Sequence, residues 1–424
     1  MSKKVLIIAY YWPPAGGPGV QRWLKFVKYL PDFGIEPIVY IPENPNYPIL
    51  DMSLNKEVPS RITILKSPIL EPYKFANFLS RDSKTISKGL IPGKKEQSLF
   101  QKLMLYIRGN FFIPDARVGW VKTSVAYLSD YITENSIQNI ITTGPPHSLH
   151  LIGLKLKINL NLSWIADFRD PWTSIDYHKE LKLTKSSQKK HKSLEKQVLN
   201  TADQIIVTSE TTKQEFQQIT SKPIEVITNG YDVMKVINEP LDKKFSISHI
   251  GSLLSERNPE VLWKVLSQLT TEIPDFSDNL EINLVGVVSE SVLDSLRNYN
   301  LTDYVNRVGY VSHNESVKYQ KKSQILLLIE SNISEKRGII PGKLFEYMVS
   351  NRPILAIGPK PWDVSKIMIE TNSGIAFGYN EEVALRSKII EYFEAFKSGS
   401  LQSHAIGLQK YSRKALTEHL AKLL

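Results

Sequence analysis

The chain has 424 residues and no cysteine. That absence excludes disulfides, thiolate-bound metals and a cysteine nucleophile, and it fits a reducing cytoplasm. No apolar run approaches the roughly 18 residues that a membrane-spanning helix needs. Near the N-terminus Val5 to Tyr11 is apolar, but the run is too short for the core of a signal peptide and leads directly into a Pro/Gly turn, so it reads as a first strand. Acidic residues are in the minority, 43 Asp and Glu against 53 Lys and Arg, for a net charge of +10. Such a surplus suits an anionic partner: nucleic acid, a membrane surface or a phosphorylated substrate. Base-stacking and groove-reading motifs are lacking, so nucleic acid is not expected among the partners. No Asp-x-Asp pair follows a strand, and no metal ligands are expected. What is present is ordinary for a globular protein, 42% hydrophobic and 23% charged residues. The length exceeds what one core supports and predicts two domains of roughly 150–200 residues.

The first half alternates strands with helices. Val5 to Ala9 reads as a buried strand, followed by a turn with three glycines (Gly16, Gly17, Gly19) and a helix over Val20 to Leu30. Glycine between strand and helix puts backbone N–H groups where a phosphate can sit, although a tight turn without a ligand explains the same residues. Gly17 and Gly19 supply the first pair of a dinucleotide fingerprint, but Arg22 stands at the third glycine position and Pro18 intervenes, which argues against an NAD-type site. Further strands are expected at Pro37 to Tyr40, Gln138 to Thr142, Ser163 to Ala166, Gln204 to Thr208 and Ile224 to Thr228. Lys182 to Leu199 reads as a strongly basic surface helix, and Ser209 as the N-cap of the helix that runs through Ile219. Residues 41 to 130 are read as a less regular excursion. Between Glu71 and Val125 it carries ten Lys and Arg against four Asp and Glu, interleaved with Phe75, Phe78, Leu79, Phe111 and other apolar residues. This composition fits a membrane-surface contact, and it also fits a solvated helical excursion packed on its own domain.

Two loops of this half carry candidate chemistry. Thr143-Gly-Pro-Pro-His147-Ser148 puts a histidine at the carboxyl end of a parallel strand, where such folds place ligands. Asp167-Phe-Arg169-Asp170-Pro-Trp172 is the densest polar cluster in the half. Its carboxylates and arginine form either an ion-paired loop lock or a set of groups for sugar hydroxyls and a phosphate.

After a linker at 233 to 243 a second alternating series begins, with strands expected at Phe245 to Ile250, Glu281 to Val285, Arg307 to Tyr310, Gln324 to Ile329, Ile354 to Ile357 and Ser373 to Ala376. Its organising stretch is Gly338-Ile-Ile-Pro-Gly-Lys-Leu-Phe-Glu-Tyr-Met-Val-Ser350. Pro341 suits the first turn of a helix, whose free N–H groups with Lys343 would form an anion site, and Glu346 one turn on could accept two hydroxyl hydrogen bonds. A nucleoside diphosphate satisfies all three. An amphipathic core helix with Leu344, Phe345 and Met348 buried and Glu346 solvated satisfies the same pattern.

Lys343 to Tyr347 resembles the donor-nucleotide segment of family-4-type glycosyltransferases with the GT-B fold. The Trp12 to Gly17 loop, the Asp167 to Trp172 string of a bacterial surface-polysaccharide subset, Asn229-Gly-Tyr-Asp232 and Gly309-Tyr310-Val311 resemble further segments of the same family. The resemblance implies an α/β architecture of two Rossmann-like doubly wound domains facing across a cleft. Residues 1–232 would form the acceptor-side domain and 244–400 the nucleotide-sugar domain, with a terminal helix in 401–424 crossing back to the first. It implies that Glu346 holds a ribose, that Arg257 and Lys343 neutralise the diphosphate, and that Gly16, Gly17 and Tyr310 contact the donor. His147 with Asp167 or Asp170 would orient the reacting groups, and Arg169 and Trp172 would lie on the acceptor side. Two departures stand out: Gly338 occupies the place of the family's first glutamate, and Ser252 that of an arginine. The expected activity is metal-independent, retaining transfer of a sugar from a nucleoside-diphosphate sugar to a glycan or lipid-linked acceptor in surface-polysaccharide synthesis. The enzyme would be cytoplasmic, use no cofactor, and dock at the inner leaflet. A nucleotide-sugar epimerase and a noncatalytic nucleotide-sugar binding protein fit the same donor segment.

Overall fold

A computed structural model describes residues 3–71, 99–175, 178, 181–232 and 239–424. The chain forms two compact units, one of residues 1–229 with 413–424 and the other of residues 230–412. The first is built on seven parallel strands, β1 (Lys3–Ile8), β2 (Ile35–Pro42), β3 (Thr63–Ser67), β4 (Asn139–Gly144), β5 (Ser163–Phe168), β6 (Gln204–Val207) and β7 (Ile224–Val226), in the order β3-β2-β1-β4-β5-β6-β7. The second has six, β8 (Phe245–Ile250), β9 (Leu280–Val285), β10 (Val305–Gly309), β11 (Ile325–Ile329), β12 (Ile354–Ile357) and β13 (Gly374–Phe377), in the order β10-β9-β8-β11-β12-β13. Each order reverses direction once, between β1 and β4 and between β8 and β11. In doubly wound sheets ligands bind at the carboxyl ends of the strands flanking that reversal.

Both sheets are covered on two faces, so the inner stretches of β1 and β11 are apolar. In β1, Leu6 and Ile8 join one core layer and Val5 and Ile7 the opposite one. β11 divides in the same way, with Ile325, Leu327 and Ile329 against Leu326 and Leu328. The helix Ser148–Leu160 lies close on the first sheet because Gly153 has no side chain. A Cβ there would sit 2.5 Å from the Trp164 indole and 2.7 Å from the Thr142 methyl. We therefore expect Gly153→Ala to destabilise the protein by about 1–3 kcal/mol, overpacking a rigid core and outweighing the gain in helix propensity. A shift of the urea midpoint at unchanged slope checks this.

Several local expectations are corrected. The stretch 41 to 130 is not irregular where it is described: it contains β3 and the helices Leu99–Phe111 and Trp120–Glu134. The second of these buries Trp120, Val121, Ser124, Leu128 and Ile132, a helical spacing. Phe75, Phe78 and Leu79 lie outside the described residues. The basic helix starts at Lys185, not Lys182, because Lys182 has φ +50° and the Thr184 hydroxyl accepts the Ser187 N–H as N-cap. At the C-terminus the helix spans Arg413–Lys422, and its Leu416 and Leu420 complete a core layer of the first unit.

Candidate functional site

In the first unit, the loops after β1, β4 and β5 meet around a cavity of about 100 Å³ lined by Tyr11, Asp115, Arg117, His147, Trp172 and His178 among others. His147 is 3% exposed, and its ring lies parallel to the Trp172 indole with centroids 5.1 Å apart. Neither of its ring nitrogens has a hydrogen-bond partner among the described residues. Burial, reinforced by the nearby His150 and Arg169, holds its pKa well below the ordinary histidine value. At neutral pH it is therefore an uncharged imidazole with one donor and one acceptor to offer. Asp115 closes the start of the helix behind it, accepting from the Ser148 backbone N–H at 2.9 Å and the Ser148 hydroxyl at 2.7 Å. Arg117 is held in turn by Glu71, at 3.3 Å, and by the Tyr10 hydroxyl, at 3.2 Å.

The string at the end of β5 divides into different roles. Asp167 is fully buried and accepts from Arg22 Nη2 (2.9 Å), Trp23 Nε1 (2.8 Å) and Thr143 Oγ1 (2.8 Å). This corrects its expected place in the chemistry: with three fixed donors it anchors the loops from within. Arg169 does not pair with its flanking carboxylates. Its Nε donates to the Gly144 carbonyl at 3.3 Å and its Nη2 to the Pro145 carbonyl, tying the β5 loop to the loop that carries His147. Trp172 is fully buried too, a plate under His147 whose Nε1 donates to His191 Nδ1 at 3.1 Å, so it positions His147 instead of facing an acceptor. Asp170 is half-buried and takes no hydrogen bond from a described residue. Burial raises its pKa, against the pull of Arg169.

Gly17 precedes the helix Pro18–Tyr29 with φ +111°, a conformation that favours glycine, and open space lies where its side chain would be. Gly16 instead packs on Ile49, whose carbonyl accepts its N–H at 3.0 Å.

The second unit places its candidates around the ends of β8 and β11. The helix that follows the organising loop is short, Lys343–Met348, with Gly342 as N-cap. Pro341 lies before it and not in its first turn. Lys343 does not extend into solvent: its Nζ donates to the Ile250 carbonyl at 3.0 Å and lies 3.4 Å from His249 Nε2. Burial, with Arg257 nearby and Glu330 opposing, pushes its pKa down to about 7. Arg257 makes a two-pronged pair with the fully buried Glu330, Nε to Oε1 at 3.1 Å and Nη2 to Oε2 at 3.0 Å. Glu346 is half-buried. One of its oxygens accepts from Gln320 Nε2 at 3.0 Å, and the other takes no hydrogen bond from a described residue. Tyr310 is 89% exposed on the loop after β10.

Arg257 and Lys343 are thus brought together, and His147, Arg169 and Trp172 likewise in the other unit. Asp115, Arg117 and the histidines 150, 178 and 191 escaped the reading of the sequence. His147 and His150 share a helical i, i+3 spacing that could have marked them as neighbours. The pairing of Glu330 left no signal in the sequence, because its partner Arg257 lies 73 residues away. Among the described residues no group of three or more His, Asp or Glu is placed to hold a metal ion.

Residues 92–235 match the family model for Glycosyltransferase Family 4. No curated protein matches the chain significantly. Sucrose-phosphate synthase from Thermosynechococcus elongatus is similar in structure over 99% of this chain and 98% of its own, with a TM-score of 0.63 at 13% identity. Anabaena HepE in complex with UDP and glucose has the same coverage, TM-score and identity. A mutant of S. aureus TarM, in complex with fondaparinux, alpha-GlcNAc-glycerol and UDP, is similar over 99% of both chains with a TM-score of 0.60 at 14% identity. Strand order and these whole-length likenesses show that the chain has the GT-B fold, and the family match covers residues 92–235, most of them in the first unit.

Proposed function

We propose that the protein transfers a sugar from a nucleoside-diphosphate sugar to a glycan or lipid-linked acceptor, in surface-polysaccharide synthesis on the cytoplasmic side of a membrane. The observation that carries this reading is the pair Arg257 and Lys343 at the carboxyl ends of the reversal-point strands, with Glu346 one helical turn beyond Lys343 and one oxygen unpartnered. In the reaction the bond from the sugar's C1 to the diphosphate oxygen breaks, a bond from the acceptor oxygen to C1 forms, and the acceptor hydroxyl's proton passes to the departing diphosphate oxygen and from it to water. Charge accumulates on the departing diphosphate. Arg257, joined by Lys343 once it is protonated, acts there as an electrostatic stabiliser, which makes a metal dispensable in this reading. Glu346 would take the ribose hydroxyls, while His147, as a neutral donor and acceptor, and Asp170 would orient the sugar or the acceptor hydroxyl. Retention at C1 is carried by the family resemblance. HepE, with UDP and glucose bound, supports a UDP-sugar as the first donor to try.

The test is binding and cleavage of UDP-, GDP-, ADP- and dTDP-sugars by the purified protein. Selective binding of one donor, with nucleotide released when an acceptor is supplied, is the expected result. Binding to none of them refutes the assignment.

Lys343 adds a pH dependence. With a free-state pKa of about 7, it is mostly neutral at pH 8 and must take up a proton to face a diphosphate. Donor affinity should therefore fall as pH rises above 7, by up to about tenfold per unit, until the pKa of the bound state is reached. Calorimetry at pH 8 in two buffers of different ionisation enthalpy should show uptake of close to one proton, absent in Lys343→Met.

A further inference from the structure

The helix Lys185–Thr201 turns one face inward, with Ser187, His191, Glu195 and Val198 buried. Residues four apart on a helix share a face, and His191 and Glu195 use that spacing to hold two successive residues of the loop after β5. Trp172 Nε1 donates to His191 Nδ1 at 3.1 Å, while the Thr173 N–H and hydroxyl donate to Glu195 at 3.0 and 2.5 Å. The indole is thereby fixed at its nitrogen and at the following peptide. Its ring lies within 2° of parallel to that of His147, with centroids 5.1 Å apart. Neither ring nitrogen of His147 has a hydrogen-bond partner among the described residues, so stacking on Trp172 is what orients it.

The bond from Trp172 also fixes the tautomer of His191. An indole nitrogen only donates, so Nδ1 of His191 carries no hydrogen and the ring's proton sits on Nε2. A second proton, taken up at Nδ1, would set two donors against each other between two fully buried side chains. Burial lowers the pKa of His191, and Lys190 on its own helix adds to the lowering, whereas the nearby Gly109 carbonyl and Asp115 pull the other way. Glu195 is committed to Thr173. His178 stands perpendicular to His191, with ring centroids 4.5 Å apart. Its pKa is pushed down to about 4 by burial and by His191, so it takes its proton after His191. Arg108 and Arg117 line the cavity that His178 also lines.

We infer that His191 is a positioning residue for the sugar transfer: as a neutral acceptor it holds the Trp172 plate on which His147 lies, and its protonation releases the plate and lowers turnover at acid pH. The inference rests on the proposed role of His147 in orienting the reacting groups, and it adds a residue that acts through Trp172 and not on the substrate. It also divides the pH dependence between the two units. Lys343 governs donor affinity on the alkaline side, and His191 governs turnover on the acid side.

The experiment follows the Trp172 indole N–H by NMR in the whole, isotopically labelled chain from pH 8 to pH 4.5, with Trp172→Phe to identify its resonance among the seven tryptophans. Over the same range kcat and KM for donor cleavage are measured, and circular dichroism verifies the fold at each pH. In the native chain the resonance should move with the titration of one group, and kcat should fall with it while KM for the donor holds. His191→Asn places an amide oxygen near the position of Nδ1, does not titrate, and has a helix propensity close to that of histidine. It should keep most of the native kcat at pH 7.5 and lose both the movement of the resonance and the acid fall. His191→Leu, which leaves the indole N–H unpaired, should lower kcat roughly tenfold with KM little changed. The inference is overturned if the native resonance stays in place down to pH 4.5, if His191→Asn keeps the native acid fall, or if a folded His191→Leu has the native kcat. The indole titration needs no donor, so it decides whether His191 holds Trp172 even where donor cleavage fails, and the two failures are told apart.

Discussion

Replacing Asp167 with alanine is expected to cost about 3–5 kcal/mol of stability, the range for removing one partner of a buried ion pair. The carboxylate is completely enclosed, and its removal strands Arg22, Trp23 and Thr143, none of which can turn to water. Arg22 would keep its bond to the Thr228 carbonyl, at 2.7 Å, while its charge lost the counterion. Asp170→Asn supplies the contrast. That carboxyl is half-buried and receives no hydrogen bond from a described residue, so its stability change should stay within about 0.5 kcal/mol and any effect should fall on turnover. Urea denaturation of both variants, beside donor cleavage, separates the two roles. If Asp167→Ala keeps its stability and loses activity, the anchoring role is wrong.

Glu346→Ala is expected to weaken donor binding by roughly 100-fold or more, since each hydrogen bond to a charged group contributes about 1.5–3 kcal/mol and a ribose offers two hydroxyls. The fold should be indifferent, because the side chain's described hydrogen bond runs to Gln320 and its neighbours Leu344, Phe345, Tyr347 and Met348 carry the packing of the turn. Titration with the donor found in the panel, followed by calorimetry, measures the loss. An unchanged dissociation constant with a correctly folded variant removes Glu346 from the site. Glu346→Gln, which keeps one acceptor oxygen without the charge, should fall between the two.

Parallel strands buried on both faces tend to be apolar runs, and Ile354 to Ile357 is found with the expected bounds; Phe245 to Ile250 is found with its expected bounds too, although Ser246, Ser248 and His249 interrupt its apolar residues. The edge strand β3 lacks that signature. β3 carries Lys66 and Thr63 and pairs with β2 alone, so nothing in Thr63–Ser67 stands out from the loops around it. At the site, residue types were legible and their partners were not. The arginine at position 22 argued against a dinucleotide fingerprint, and the structure adds the reason for its presence: the position faces the buried Asp167. The Asp-Phe-Arg-Asp string suggested a local ion-paired lock. A lock exists, but Asp167 closes it with an arginine 145 residues earlier and Arg169 closes another on backbone carbonyls. Long-range pairing of this kind leaves no spacing in the chain for periodicity to detect.

The terminal helix has a consequence for the order in which the molecule can be completed. Leu416 and Leu420 belong to a core layer of the first unit, whereas residues 230–412 form the second unit between them and the rest of that core. A chain emerging from the ribosome therefore holds every residue of the second unit before it holds the whole of the first. The N-terminal half waits, with Val20, Trp23 and Val27 lacking part of their cover, until the residues beyond 412 return to it. The unit made first is finished last, and a nascent chain halted before residue 413 would carry one complete unit and one open one.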